Sequence, residues 1–169
     1  MSRVKKVSTS MMILALTWAF SPAAMSAGLT EYGLLHGQYE AGLQRVVPAF
    51  NKNYGKYLGS GTAEVSGKIS GSVAWDLYEE QSDSDVHRTQ FVGQITAKDH
   101  SKIFFETTGF FVPRQADQAY WDLTSSIRFY DAEGQAYRDV AGKIGLWEGY
   151  VHIADDKFVH TYKIYVPGK

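Results

Sequence analysis

The chain has no cysteine, which removes both disulfides and thiol nucleophiles and rules out a lipid-modified N-terminal cysteine of the bacterial lipoprotein kind. Proline is scarce, four against sixteen glycines, a balance that suits strands and tight turns. Charge of one sign is missing as well. Seventeen basic residues meet eighteen acids without forming a basic stripe, so nucleic acid is not an expected partner. No apolar run reaches the roughly 20 residues that a membrane-spanning helix needs.

Familiar chemical motifs are absent too. Gly59-Ser60-Gly61 leads into a strand, not into the helix of a phosphate loop. His36, His87, His100, His152 and His160 never fall at a zinc-type spacing, and no Gly-x-Ser-x-Gly elbow occurs. Neither a metal nor a cofactor is therefore expected. A metal site assembled from separate strands is the alternative.

What is present begins with an export signal. Arg3, Lys5 and Lys6 form a basic start, Met11 to Phe20 a short apolar core, and Ser21-Pro22 a break before Ala23-Ala24-Met25-Ser26-Ala27. This is the layout of a cleavable secretory signal peptide over residues 1–27, with cleavage after Ser26 or Ala27. An uncleaved N-terminal anchor is the alternative. No twin arginine precedes the apolar core, which favours the general secretory route. Seventeen basic residues less Arg3, Lys5 and Lys6 leave fourteen against eighteen acids, a formal charge of about −4 on residues 28–169. That remainder suffices for one domain with its own core, periplasmic or secreted, and without a further membrane contact.

Alternation of apolar and polar residues dominates this domain. Val65, Ile69, Val73, Trp75 and Leu77 fall on odd positions, with Ser66, Lys68, Ser70, Ser72 and Asp76 between them, and Val65 to Leu77 reads as one strand. Gly67 and Gly71 on its buried face imply strong curvature. Glu79 to Asp85 reads as a surface loop. Further strands are expected over His87–Ala97, Lys102–Val112, Ala119–Tyr130, Lys143–Ile153 and Phe158–Val166, with a short one over Gln135–Asp139. Leu34 to Glu40 reads as a first strand and Val46 to Tyr57 as a mixed connection. Short strands at this spacing predict an all-β meander, a sandwich or a closed antiparallel barrel.

Candidate chemistry lies in polar residues set in apolar strand faces. His160 and Tyr162 alternate with Phe158, Ile164 and Val166. A two-residue turn at Asp155-Asp156 would join them to Trp147 and Val151; a three-residue loop would bring Glu148 beside Tyr162 and Tyr150 near His160. In the second register a carboxylate, an imidazole and a phenol line one apolar cavity, an arrangement suited to proton transfer. Glu106 raises the same question among Phe104, Phe105, Phe110 and Phe111. Apolar residues on both faces of that strand point to association with further copies or to a covering segment. Arg128 could hold an anion, Trp75 faces the expected interior, and Tyr120 and Trp121 follow a long loop where barrel mouths bind ligands.

Gly59-Ser60-Gly61 followed by Val65 to Asp76 resembles the glycine-rich opening of the domain of unknown function 3237 family. Asp99 before Ile103, Gly109, Tyr120-Trp121, Ile127-Arg128-Phe129, Tyr137 and Gly145-Leu146-Trp147-Glu148-Gly149 continue the likeness in order, over most of Leu58 to Tyr165. Asp99-His100-Ser101 departs from a frequent Asp-Gly-Ala turn, and Asp139-Val140-Ala141 from a frequent Trp-Leu-Asn. The resemblance implies a closed barrel of the calycin or allene oxide cyclase kind, oligomeric, binding apolar small molecules or guiding their cyclisation, isomerisation or elimination.

The expected function is thus a hydrophobic small-molecule site with cofactor-free lyase, isomerase or cyclase chemistry. Glu106, Glu148, His160 and Tyr162 would do the acid–base work, and Arg128, Tyr120, Trp121, Trp75 and Tyr150 would hold the substrate. A non-catalytic carrier and a structural or interaction module with a filled barrel are the alternatives. Both small-molecule readings need a cavity of roughly 300 Å³ or more. N-terminal sequencing of the exported protein is expected to start at Ala27 or Gly28; a first residue before Ala23 would overturn the cleavage site.

Overall fold

A computed structural model of the chain describes residues 28–39, 44–47, 55–81, 85–154 and 157–168. The expected signal peptide, residues 1–27, lies outside the described residues. Nine strands follow one another: β1 (Leu29–Tyr39), β2 (Gln44–Val47), β3 (Gly55–Gly67), β4 (Gly71–Gln81), β5 (His87–Ala97), β6 (Lys102–Pro113), β7 (Tyr120–Ala132), β8 (Ile144–Ala154) and β9 (Lys157–Pro167). Each of β3 to β8 pairs antiparallel with the next. Closure comes from β1, which pairs antiparallel with β9 on one side and with the second half of β3 on the other. The result is a closed eight-strand antiparallel barrel, with the four-residue β2 added against the start of β3. Of the sandwich and the barrel that strand spacing left open, the chain forms the barrel, as the resemblance implied.

Where alternation stood alone it misplaced one boundary. Val65 to Leu77 is not one strand but the end of β3, a turn at residues 68–70 and most of β4. The turn pairs Val65 with Gly71, odd with odd, so the inward parity passes through the hairpin unbroken and hides it. Gly67 marks the turn with a φ of 125°, a conformation L side chains rarely adopt. Ile69, in the turn itself, is fully buried against the core.

Two more expectations change in the same way. Glu79 and Glu80 are not loop but the last part of β4. Gln135–Asp139 is not a strand: Gln135–Tyr137 forms one 3₁₀ turn, and further turns lead to Lys143. Behind it the fully buried Val140 joins Ile69, Ile103 and Ala132 in the core, closing the end of the barrel where β3 and β4 meet. Tyr32 belongs to this plug, its hydroxyl 3.5 Å from Asp139, and burial together with that carboxylate pushes the phenol up to about 12.

The middle of the barrel is filled. Trp147 stacks on Phe91 at 5.6 Å and lies 5.1 Å from Phe105 and 5.5 Å from Tyr162. Trp75 meets Phe91 edge-on, and Phe129 is fully buried in the same cluster. Each such side chain stabilises the fold by about 1.5–3 kcal/mol through burial. Room for Trp75 comes from Gly61 opposite, where a Cβ would stand 2.6 Å from the indole ring. Gly61→Val is expected to destabilise the domain by about 1–3 kcal/mol through overpacking, read as a lower thermal midpoint; an unchanged midpoint would show that Trp75 can yield.

Candidate functional site

At the other end of the barrel, β4, β6 and β8 finish and β5, β7 and β9 begin. Inward-facing residues there line an open pocket of about 210 Å³. Its wall is apolar: Tyr57 from β3, Phe111 from β6, Trp121 from β7, Val151 and Ile153 from β8, and Phe158 from β9. Two polar side chains complete it, Glu79 near the end of β4 and His87 at the start of β5. Glu79 is only 5% exposed and His87 12%. The His87 Nδ1 is bonded to Glu79 Oε1, and the imidazole stands edge-on to Trp121 at 4.6 Å. A carboxylate on Nδ1 favours the proton there, and in the neutral ring Nε2 is then the lone-pair acceptor. Nε2 is sheltered from solvent and has no hydrogen-bond partner among the described residues. Tyr57 donates its hydroxyl to Gln81 Oε1 at 3.0 Å on the same rim.

Local sequence explains why these two groups face inward. Glu79 keeps the odd parity of Val73, Trp75 and Leu77, and His87 that of Thr89 and Phe91. The signal was thus in the alternation, masked because Glu79 begins a polar run that reads as a loop. A carboxyl group on an inner face needs a hydrogen-bond partner, and His87 supplies it.

Of the residues proposed from sequence, the structure brings four to the interior. Trp121 lines the pocket. Below it Trp75, His160 and Tyr162 pack as one group: His160 stacks on Tyr162 at 4.9 Å and meets Trp75 edge-on at 4.7 Å. The remaining five lie on the outer wall. Ala154 pairs with Lys157 and Val151 with His160, the register of the two-residue turn, so Glu148 points outward opposite Lys163. Glu106 also faces out, opposite Arg128, and the Arg128 guanidinium lies over Tyr130 at 5.2 Å. Tyr120 and Tyr150 flank Arg114, which holds Asp122 through two nitrogens, and Tyr120 stacks on His152. Glu106 and Glu148 therefore lie outside the interior that holds His160, and the carboxylate buried among the described residues is Glu79. At about 210 Å³ the pocket misses the roughly 300 Å³ that both small-molecule readings were expected to need, which counts against a drug-sized ligand in either reading and leaves room for about one ring. It compares instead with the roughly 150 Å³ that accommodates benzene in an engineered apolar cavity.

No family model matches the chain, and no curated protein matches it. Solved structures share its fold. A protein of unknown function from Clostridium acetobutylicum matches with a TM-score of 0.63 and 11% identity over 82% of this chain and 97% of its own. A beta-barrel like protein from Acinetobacter baumannii gives 0.62 and 9% identity over 81% and 94%. An enzyme from Penicillium herquei gives 0.52 and 12% identity over 80% and 92%. At these identities the likeness is one of fold.

Burial, and secondarily the charge of His36, push the His160 imidazole down from 6.5 to about 3. The folded chain therefore keeps this ring neutral, while the unfolded chain protonates it near 6.5. Below that pH the unfolded state binds the extra proton, and stability falls as pH drops toward about 3, by up to about 1.4 kcal/mol per unit. Urea unfolding of wild type and His160→Phe between about pH 6.5 and pH 4 checks this. The wild type is expected to lose stability more steeply, and parallel curves would overturn the assignment.

Proposed function

We propose that this chain is an exported barrel whose open end binds a small apolar molecule, about one ring in size, and moves a proton on it with Glu79 and His87. The observation that carries the reading is a buried carboxylate–imidazole pair in the wall of an otherwise apolar pocket. His87 Nε2 would take the proton from a carbon or oxygen acid of the ligand, and Glu79 would stabilise the imidazolium that forms. Returning the proton to another ligand atom completes an isomerisation; losing a leaving group from the resulting anion completes an elimination. Neither needs a cofactor. The aromatic walls leave Glu79 and His87 little exposed, which strengthens the charge interactions at the pair.

Support from relatives is limited to fold: one neighbour of this shape is described as an enzyme. The filled middle favours a second reading, a structural or interaction module, for which the pocket is incidental. Self-association belongs to either reading and would use the outer face of β5 and β6, where Val92, Phe104, Phe110 and Val112 are exposed.

Native mass spectrometry of protein from its own host is expected to show a retained small ligand. Titration of single-ring phenols, enones and lactones should then shift the His87 and Trp121 resonances. With a turned-over ligand, His87→Ala should lower kcat about 10²- to 10⁴-fold. Ligands that leave both resonances unmoved, or turnover that survives both His87→Ala and Glu79→Gln, would defeat the proposal.

A further inference from the structure

The outer wall of the barrel is unevenly apolar. Among the described residues, six large hydrophobic side chains stand exposed on the neighbouring strands β5 to β8, and none on β1 or β9. One rung of this wall has a particular order. Val92 of β5 pairs with Glu106 of β6, Glu106 with Arg128 of β7, and Arg128 with Ile144 of β8. Val92 is 43% exposed and Ile144 60%. From either end the rung reads apolar, charged, charged, apolar, with opposite charges about its middle. Phe104 and Tyr130, both exposed, flank that middle, because a bulge in β7 sets Tyr130 between the residues that pair with Phe104 and Phe105.

Such a rung is complementary to itself. A two-fold axis lying in the plane of contact, along the strands and between β6 and β7, lays β6 of one copy over β7 of the other and β5 over β8. Glu106 then meets Arg128 twice, Val92 meets Ile144 twice, and Phe104 comes over Tyr130. An axis along the rung would instead set Glu106 on Glu106 and Arg128 on Arg128, which like charges oppose. Within one chain Glu106 accepts the Tyr130 hydroxyl, and the Arg128 guanidinium lies over the Tyr130 ring at 5.2 Å. A guanidinium laid on a ring keeps its N–H donors in its own plane, where a carboxylate can take two of them.

We infer that this wall joins two copies of the chain face to face, about a two-fold axis between β6 and β7, with Arg128 of each copy on Glu106 of the other. The inference rests on the self-association read above and does not use the pocket. Charge decides for a second copy over a membrane. An anionic lipid surface draws clustered Lys and Arg, whereas here Arg128 has Glu106 directly beside it. A closed barrel is convex on its outside, so contact is confined to the few strands around the axis. The dimer is therefore of the small-interface kind and dissociates on dilution.

Sedimentation velocity of the purified protein over a range of micromolar concentrations is expected to show a monomer passing into a dimer. Arg128→Glu and Glu106→Arg each set like charges together at both crossings, and each should weaken the dimer at least about 100-fold. The double variant restores opposite charges and should return the dissociation constant to within about tenfold of wild type. Ile144→Lys, on the exposed wall, should weaken the dimer while leaving the central pair intact. Thermal midpoints check that each variant is folded. A monomer at every concentration would defeat self-association as a whole, as would binding to phosphatidylglycerol vesicles without a dimer. A dimer that withstands both single reversals and Ile144→Lys, or one lost in the reversals and not regained in the double variant, would overturn this arrangement alone.

Discussion

The pairing of Ala154 with Lys157 decides which side chains of the last hairpin see the inside of the barrel. A strand has two faces with a period of two, so a shift of one residue would exchange them completely. In the observed register Trp147, His160 and Tyr162 fill the core and Glu148 meets Lys163 outside. The opposite register would place an ionisable carboxylate among those aromatic rings and put the largest side chain of β8 into water. Burial of the apolar rings outweighs any gain from an interior acid–base cluster there, so chemistry is displaced from the middle of the barrel toward its end.

That displacement divides the molecule into three layers. One end is sealed by Ile69, Val140 and Ile103, and the middle is solid with stacked rings. At the open end strand termini leave the interior unfilled, and there the inward positions of β4 and β5 carry Glu79 and His87. His160 shows the contrast between the layers. Packed against Trp75 and Tyr162, it is held neutral far below ordinary pH, whereas His87 stands beside a carboxylate at the rim of a pocket. Two imidazoles about one layer apart thus have different tasks, and surroundings alone separate them.

Much of the fold was legible. The period of β5 through β9, set off by turns such as Asp99-His100-Ser101, marks five strands near their observed limits. The join between β3 and β4 was not, because a turn that pairs odd with odd preserves the alternation that strand reading depends on. The 3₁₀ plug was missed for a different reason: five residues around Tyr137 have no period of their own and are shaped by the barrel end they cover. At the site, composition worked against pattern. Glu106 and Glu148 drew attention because they interrupt apolar runs, yet both strands have apolar residues on both faces. Glu79 was overlooked because Glu80 to Asp85 continues its polarity. Parity counted from Trp75 would have found it, and counting from Phe91 would have found His87.

The seam between β1 and β9 sets Leu29 opposite Pro167, and the Gly168 amide donates to the Gly28 carbonyl at 2.6 Å. Nearly the whole domain separates these partners along the chain, so the ring cannot be joined until its final strand has left the ribosome. Contacts this distant in sequence also form slowly. Until then the first strand lacks its neighbour on that side, and the nascent chain stays open. This topology therefore postpones completion of the barrel until its last strand is available to its first.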